Sequence, residues 1–202
     1  MKPDYYFNIR VVTAITRKMG PSGSSIDVLA MAFKAVHGIA TQKGFRFAAA
    51  FPEARTGTMA HPGTALRVFV EDREHADEIC DQIERSTRLS GYVDVGRVRR
   101  TPQDVRDVVE YRLHRQWRRS DTTPEARAQI LAKGDLLPYL RTTSKSEGAA
   151  YSIRFDVIRT KEGKASEVVE PNGYGLSVPS RPFQLPDFEL EAPPWIRVRD
   201  GQ

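Results

Sequence analysis

The sequence is poor in cysteine and has no long apolar run. Cys80 is the only cysteine among 202 residues, so an internal disulfide and a zinc site with several cysteines are excluded, and a reducing compartment is favoured. The longest apolar stretch, residues 26–40, is interrupted by charged residues, whereas a membrane span needs about 20 apolar residues. Residues 1–5 lack the apolar segment of a secretory signal. These absences predict a cytoplasmic protein.

Motifs of metal and nucleotide chemistry are also missing. The sequence contains no His-x-x-x-His, no cysteine pair and no Asp-x-Asp cluster. It also lacks the phosphate-binding Gly-x-x-x-x-Gly-Lys-Ser/Thr loop, the Gly-x-Gly-x-x-Gly fingerprint and the nucleophile motif Gly-x-Ser-x-Gly. The scattered histidines are His37, His61, His75 and His114. We therefore expect no metal site and no cofactor.

The chain is basic, and its positive charge is concentrated in one segment. Lysine and arginine number 31 against 26 acidic residues, which leaves a formal charge of +5, while 40% hydrophobic residues suffice for a core. Residues 97–119 contain eight arginines, three acidic residues and no lysine. Arginine binds phosphate groups and guanine edges with two parallel hydrogen bonds, as lysine cannot. This segment predicts an anionic polymer as the partner.

The hydrophobic pattern of the first half alternates between strand and helix. Predicted strands are residues 5–13, 45–51, 65–70 and 92–95, and predicted helices are residues 26–42 and 74–85. Ser24 or Ser25 caps the first helix and Gly44 ends it. The order βαββαβ is that of the ferredoxin-like unit. We predict an α+β protein, with a ferredoxin-like domain in residues 1–96 and a second domain in residues 97–202.

The arginine-rich segment is predicted to open the second domain as a helix from Thr101 to Arg119. Thr101 followed by proline suits a helix start. One apolar stripe would dock while another face offers arginines to a partner, although a solvated or protein-binding face fits the same pattern. The stripe is Val105, Val109, Leu113 and Trp117, and the arginines are Arg112, Arg115, Arg118 and Arg119. A helix at residues 124–132, a polar loop at 141–148 and strands at 151–158 and 164–169 follow.

Two groups of polar residues are candidates for chemistry. His37 lies on the apolar stripe of the first helix, so it is either a core histidine bonded to a backbone carbonyl or a proton carrier. Ser144 and Ser146 belong to the polar loop and are either turn residues or part of a site. A basic protein without a metal can still cleave RNA, because the ribose 2′-hydroxyl is itself a nucleophile beside the phosphate.

In the order and spacing of its motifs the chain resembles the CRISPR repeat-processing endoribonucleases of type I-F systems. These enzymes cleave an RNA hairpin to release guide RNAs and stay bound to the product. Each motif alone is weak, but their common order extends to about residue 188. The matching segments are Tyr6–Arg10, Val28–His37, Phe51–Pro52, Leu66–Val70, Gly96–Arg99, Arg115–Arg119, Ser144–Tyr151 and Gly173–Ser177.

The resemblance implies a role for each matching residue. His37 falls on the catalytic histidine, Ser144 on the serine that holds the 2′-hydroxyl, and Tyr174 on the tyrosine that orients the histidine. Ser146 matches a second polar contact, and Tyr151 the aromatic on which the terminal base pair of the stem stacks.

The arginines receive their roles from the same resemblance. Arg97 matches a residue that reads a guanine edge at the base of the stem, and Arg115, Arg118 and Arg119 fall on the helix that follows the hairpin phosphates. Arg99 stands where the family prefers glutamine, which favours guanine instead of adenine. A short insertion between Arg97 and Arg115 leaves the alignment of Arg112 open.

The implied function is metal-independent cleavage of precursor CRISPR RNA at the base of the repeat stem. The 2′-hydroxyl acts as the nucleophile and leaves a 2′,3′-cyclic phosphate. The implied partners are the repeat hairpin and other subunits of an RNA-guided surveillance complex. The alternative is a non-catalytic ferredoxin-like RNA-binding subunit of a ribonucleoprotein, because this fold serves many functions.

Overall fold

The computed structural model describes residues 1–16, 24–114, 123–143, 148 and 150–191. The strands are β1 (Tyr5–Val11), β2 (Ala48–Ala50), β3 (Ala65–Val70), β4 (Val93–Val95), β5 (Arg99–Arg100), β6 (Val108–His114), β7 (Tyr139–Thr143), β8 (Ala150–Thr160) and β9 (Leu185–Pro186). The helices are α1 (Thr13–Thr16), α2 (Ser25–Lys43), α3 (Arg73–Glu84) and α4 (Pro124–Asp135). Within these residues the predicted α+β class is confirmed.

The first sheet contains the amino-terminal strands in the order β2-β3-β1-β4, with β5 also paired to β1. All of its pairings are antiparallel. The apolar side chains Phe7 and Ile9 of β1 are fully buried, and α2 and α3 both contact this strand and β3. The chain order of strands and long helices up to residue 95 follows the predicted pattern.

Helix α2 begins and ends where the sequence predicts. The hydroxyl of Ser24 accepts a hydrogen bond from the amide of Asp27 at 3.2 Å, which satisfies one free donor of the first turn. Gly44 follows the helix with φ of 74°, a left-handed conformation that costs glycine little. Apolar residues including Phe33 and Val36 bury one side of the helix. This packing fixes the position of His37, which follows Val36.

The second sheet has the order β7-β8-β6-β9 and is also antiparallel. Aromatic side chains join it to the first sheet. The ring of Phe51, just after β2, stacks on Phe155 of β8 with centroids 4.5 Å apart and meets Tyr111 of β6 edge-on at 5.8 Å. Such ring pairs stabilise a core beyond the area they bury. One apolar core therefore extends through both sheets.

The predicted helix from Thr101 to Arg119 is wrong over residues 101–114. Residues 108–114 form β6, paired along its whole length with β8, and Arg112 lies opposite Asp156 in this ladder. From residue 109 to 114, the apolar residues Val109, Tyr111 and Leu113 alternate with polar residues, as in a strand. Residues 115–122 lie outside the described part of the chain.

Two further predictions for the second half are corrected by the structure. The predicted strand at residues 164–169 is an irregular segment held by isolated hydrogen bonds, such as that from the amide of Val169 to the carbonyl of Met1 at 2.9 Å. The start of the predicted polar loop, residues 141–143, belongs to β7. Strand pairing with β8 stabilises these threonine-rich residues, and threonine favours strands.

In the described ranges, every helix is too short or too polar to cross a membrane.

Cys80 is buried on α3. Burial raises the pKa of its thiol to about 12, so the reactive thiolate is scarce at neutral pH.

Candidate active site

The loop Asn172–Leu176 is a compact turn next to β2. The side-chain oxygen of Asn172 accepts hydrogen bonds from the amides of Tyr174 at 2.8 Å and of Leu176 at 3.1 Å. The carbonyl of Gly175 accepts a bond from the amide of Ala49 at 2.8 Å, which ties the turn to β2. An asparagine that bonds to the backbone two residues ahead is a common turn device. The turn holds Gly173 and Tyr174 in place beside α2.

Gly175 cannot be replaced without disturbing this turn. Its φ is 75°, and a Cβ atom there would lie 2.6 Å from Cε2 of Phe47, which is buried. We expect Gly175→Ala to lower the free energy of unfolding by about 2 kcal/mol, through left-handed strain and overpacking. The measurement is chemical denaturation. Gly173→Ala is the matched control, because its Cβ would meet only Cε1 of His37 at 3.9 Å; equal losses in both variants would contradict the prediction.

His37 is half-buried, and its ring is held on two sides. Its Nδ1 lies 2.7 Å from the carbonyl oxygen of Gly173. A carbonyl only accepts hydrogen bonds, so this contact requires the proton on Nδ1 and leaves Nε2 of the neutral ring as an acceptor. The ring of Tyr174 packs against the imidazole with centroids 5.1 Å apart. His37 therefore bonds to a carbonyl, as a core histidine would, and within the described part of the chain its Nε2 has no hydrogen-bond partner.

A hydroxyl contact extends this arrangement to Tyr151. The hydroxyls of Tyr174 and Tyr151 lie 3.2 Å apart. This hydrogen bond, together with burial, raises the pKa of Tyr174 to about 12, so its phenol is neutral at physiological pH. Tyr151 itself is 38% exposed to solvent. The structure thus brings together His37, Tyr174 and Tyr151, three of the residues singled out in the sequence.

Ser144 and Ser146 lie outside the described residues, as do Arg115, Arg118 and Arg119. The strand ends on either side of the serine segment are described. Thr143, the last residue of β7, pairs with Ala150, the first residue of β8, and Thr142 pairs with Tyr151. The segment that carries both serines therefore connects two paired strand ends, one of which is next to Tyr151.

The described arginines differ in their partners. Arg97 is exposed. Nη2 of Arg99 forms an ion pair with Oε2 of Glu191 at 2.7 Å, with both side chains about half exposed. Arg112 is bound through Nε and Nη2 to the two carboxylate oxygens of Glu110, at 2.8 and 2.7 Å, and this bond raises the pKa of Arg112. Arg112 thus lies on a strand beside a carboxylate, instead of on the predicted helix.

The carboxylate of Glu191 reaches Arg99 because the segment 188–191 packs on side chains of β1 and β3 in the first sheet. Arg67 on β3 anchors this segment and is 1% exposed. Its guanidinium donates to the carbonyls of Phe188 at 2.9 Å and Glu189 at 3.2 Å, and it lies 3.6 Å from the centroid of the Phe188 ring. Burial lowers the pKa of Arg67 to about 10, so it remains a cation at neutral pH. The sequence gives no signal for this contact.

The other histidines have structural partners. Nδ1 of His61 accepts a bond from the amide of Gly63 at 2.8 Å. His75 stacks on Phe45 with centroids 3.8 Å apart, and Nε2 of His114 lies 3.2 Å from the carbonyl of Ile130. Over the part of the chain that is described, no group of three His, Cys, Asp or Glu residues is placed to hold a metal ion.

Comparison with known proteins assigns the chain to a class and then to a family. The chain is a CRISPR-associated protein. Residues 24–188 match the family model described as CRISPR-associated protein (Cas_Csy4), and the chain belongs to that family. Membership implies CRISPR repeat-specific processing, and the family is known in general terms for endoribonuclease activity. No curated protein matches the chain significantly.

Proposed function

We propose that this protein is a metal-independent endoribonuclease of a type I-F CRISPR system, which binds the repeat stem-loop and cleaves precursor RNA at the base of the stem. Family membership supports the substrate class. The observation that carries the mechanism is the pairing of His37 with the Gly173 carbonyl and Tyr174, because it holds the imidazole in one orientation with Nε2 available.

The proposed reaction is a transesterification within the RNA. The ribose 2′-oxygen forms a bond to phosphorus while the bond from phosphorus to the 5′-oxygen breaks, which leaves a 2′,3′-cyclic phosphate and a 5′-hydroxyl. The 2′-hydroxyl loses one proton and the leaving oxygen gains one, so no water is consumed. His37 exchanges a proton at Nε2, as a base or as an acid. Ser144 holds the 2′-hydroxyl in line for attack.

Tyr174 and Tyr151 have supporting roles in this proposal. Tyr174 keeps the ring of His37 in place and is not itself a base, because its raised pKa keeps the phenol neutral. Tyr151 stacks on the terminal base pair of the stem, and its partial exposure is compatible with this role. Ser146 adds a polar contact in the same loop. Tyr151 lies two contacts away from the imidazole, through Tyr174.

The arginines are proposed to hold the stem. Arg97 and Arg99 read base edges in the major groove near its open end, and Arg115, Arg118 and Arg119 contact phosphates. Arg112 is also proposed to contact the RNA, although the carboxylate of Glu110 partly neutralises its positive charge. Each neutralised phosphate adds about one unit to the dependence of log Kd on log salt. Binding should therefore weaken steeply as salt rises.

The ion pair between Glu191 and Arg99 opposes this binding. An exposed pair of this kind is worth up to about 1 kcal/mol, and RNA must displace the carboxylate to use Arg99 fully. We expect Glu191→Gln to tighten hairpin binding about threefold at low salt, measured by titration of labelled RNA. Glu189→Gln is the matched control, since only the backbone carbonyl of Glu189 contacts Arg67. Weaker binding in Glu191→Gln would mean that the carboxylate instead orients Arg99 for the RNA.

The two proposed domains of the chain have different roles. We propose that residues 1–96 form a ferredoxin-like domain that carries His37, since its sheet order and two packed helices agree with that fold. Residues 97–202 form the hairpin-binding domain. Because the stem stays intact after cleavage, the protein remains on its product and acts in the cytoplasm as a subunit of an RNA-guided complex.

The test is cleavage of an end-labelled repeat hairpin with and without EDTA. We expect a single cut at the base of the stem, a cyclic phosphate end, and the same rate in the chelator. A protein that binds the hairpin but does not cut it would instead be a non-catalytic subunit. Cleavage that depends on added magnesium would contradict the proposed chemistry.

A further inference from the structure

Lys34 joins the helix of the candidate catalytic histidine to the end of β7. Its Nζ donates hydrogen bonds to the backbone carbonyl of Thr143 at 2.9 Å and to the hydroxyl of the same residue at 3.0 Å. Lys34 precedes His37 by three residues, so the two side chains leave neighbouring positions on α2. Thr143 is the last residue of β7 and directly precedes Ser144 in the chain.

The two hydrogen bonds of Lys34 fix the position of its ammonium group relative to Thr143. Their donor is charged, and charge-assisted bonds are stronger than neutral ones. They end on a backbone carbonyl and a side-chain hydroxyl of one residue, so they restrain both the strand and the side chain of Thr143. Helix α2 and β7 also pack against each other. Lys34 therefore restrains the distance between α2 and the point where the serine segment begins.

We infer that Lys34 is a positioning residue that holds Thr143, the residue before Ser144 in the chain, at a fixed distance from His37. The inference rests on the proposed function, in which Ser144 holds the 2′-hydroxyl and His37 exchanges a proton in the same reaction. A small displacement between such groups lowers the rate strongly, because reaction requires the attacking oxygen to be aligned. Lys34 acts through Thr143 and touches no reacting atom.

An ammonium group has three donors, and Thr143 uses two of them. Lys34 also lines an open groove of about 380 Å³ together with Tyr151. A direct contact of Lys34 with an RNA phosphate is therefore the competing explanation for any effect of its removal. The two explanations differ in what changes: a positioning residue alters the cleavage rate, whereas a phosphate contact alters affinity and its salt dependence.

The experiment compares Lys34→Met with Lys43→Met, a matched control on the same helix whose Nζ pairs with Glu78 at 2.9 Å. Single-turnover cleavage of the repeat hairpin is measured at saturating protein, and Kd is measured over a range of salt. We expect Lys34→Met to cleave about tenfold more slowly with Kd within twofold and an unchanged salt slope. Lys34→Arg, which keeps charged donors, should recover part of the rate, and Lys43→Met should cleave like the unmodified protein.

A double-mutant cycle with Ser144→Ala tests the route of the effect. If Lys34 acts through the serine segment, Lys34→Met adds little to the loss already caused by Ser144→Ala. Full additivity, or a lower salt slope in Lys34→Met, would overturn the inference. An unmodified protein that fails to cut the hairpin, or a fully active Ser144→Ala, would instead overturn the proposed function.

Hydrogen exchange in the absence of RNA tests the contact itself, whatever the activity. A peptide that covers β7, residues 139–143, should exchange about tenfold faster in Lys34→Met than in Lys43→Met, because the end of β7 loses its hydrogen bonds to α2. Equal exchange in the two variants would overturn the inference even if the protein is an active nuclease.

Discussion

Replacement of His37 by alanine is expected to reduce cleavage of the repeat hairpin by about a thousandfold, while hairpin affinity stays within a few-fold. Proton transfer by a positioned histidine contributes about 10² to 10⁴ to rates of this kind. In the proposed function the stem is held by arginines outside α2, so hairpin binding should not depend on the imidazole. The measurements are the single-turnover cleavage rate and Kd of the same RNA.

His75→Ala is the control for the loss of an imidazole. His75 lies on α3, stacks on Phe45 and is paired with Asp72 at 3.3 Å, so its removal should leave cleavage unchanged. Loss of hairpin binding and of folding in His37→Ala would favour the interpretation of His37 as a core histidine bonded to Gly173. Retention of cleavage would remove His37 from the mechanism. Thermal denaturation of both variants separates the first outcome from the expected one.

Helix α2 was predictable because local signals agree along its whole length. Ser24 and Gly44 supply its caps, and the apolar stripe that contains Phe33 and Val36 has helical spacing. Residues 108–114 were mispredicted because Val109 and Leu113 are spaced as on a helix. The side chain that distinguishes the two is Tyr111, which is fully buried in β6. Pairing with β8, far along the chain, decides the structure there.

The candidate site was only partly accessible from the sequence. His37 and Tyr174 are 137 positions apart, so only the resemblance to a known family suggested that they act together. Nδ1 of His37 is bonded to a backbone carbonyl. Because every residue type has this group, the identity of residue 173 does not reveal the contact. The sequence Asn-Gly-Tyr-Gly at residues 172–175 does indicate a turn. The contacts of Glu191 with Arg99 and of Lys34 with Thr143 join distant segments, and neither has a local signal.

The hydroxyl of Tyr151 links the proposed stacking surface to the candidate catalytic residues, and substitutions can separate its two roles. Tyr151→Ala removes the ring, so we expect hairpin binding to weaken by about 2 kcal/mol, roughly thirtyfold in Kd. Tyr151→Phe keeps the ring and removes the contact with the hydroxyl of Tyr174. It should bind with nearly unchanged Kd and cleave several-fold more slowly, because Tyr174 then holds the ring of His37 less firmly. Kd and single-turnover rates are measured on the same hairpin.

Tyr174→Phe provides the matched control, because it removes the other hydroxyl of the same contact. If the hydroxyl contact is what matters, Tyr174→Phe and Tyr151→Phe slow cleavage equally, and the double variant is no slower than either one. Independent losses that add in the double variant would mean that each hydroxyl contacts the RNA separately. Unchanged affinity in Tyr151→Ala would exclude stacking on Tyr151, and the terminal base pair would then have to rest on another surface.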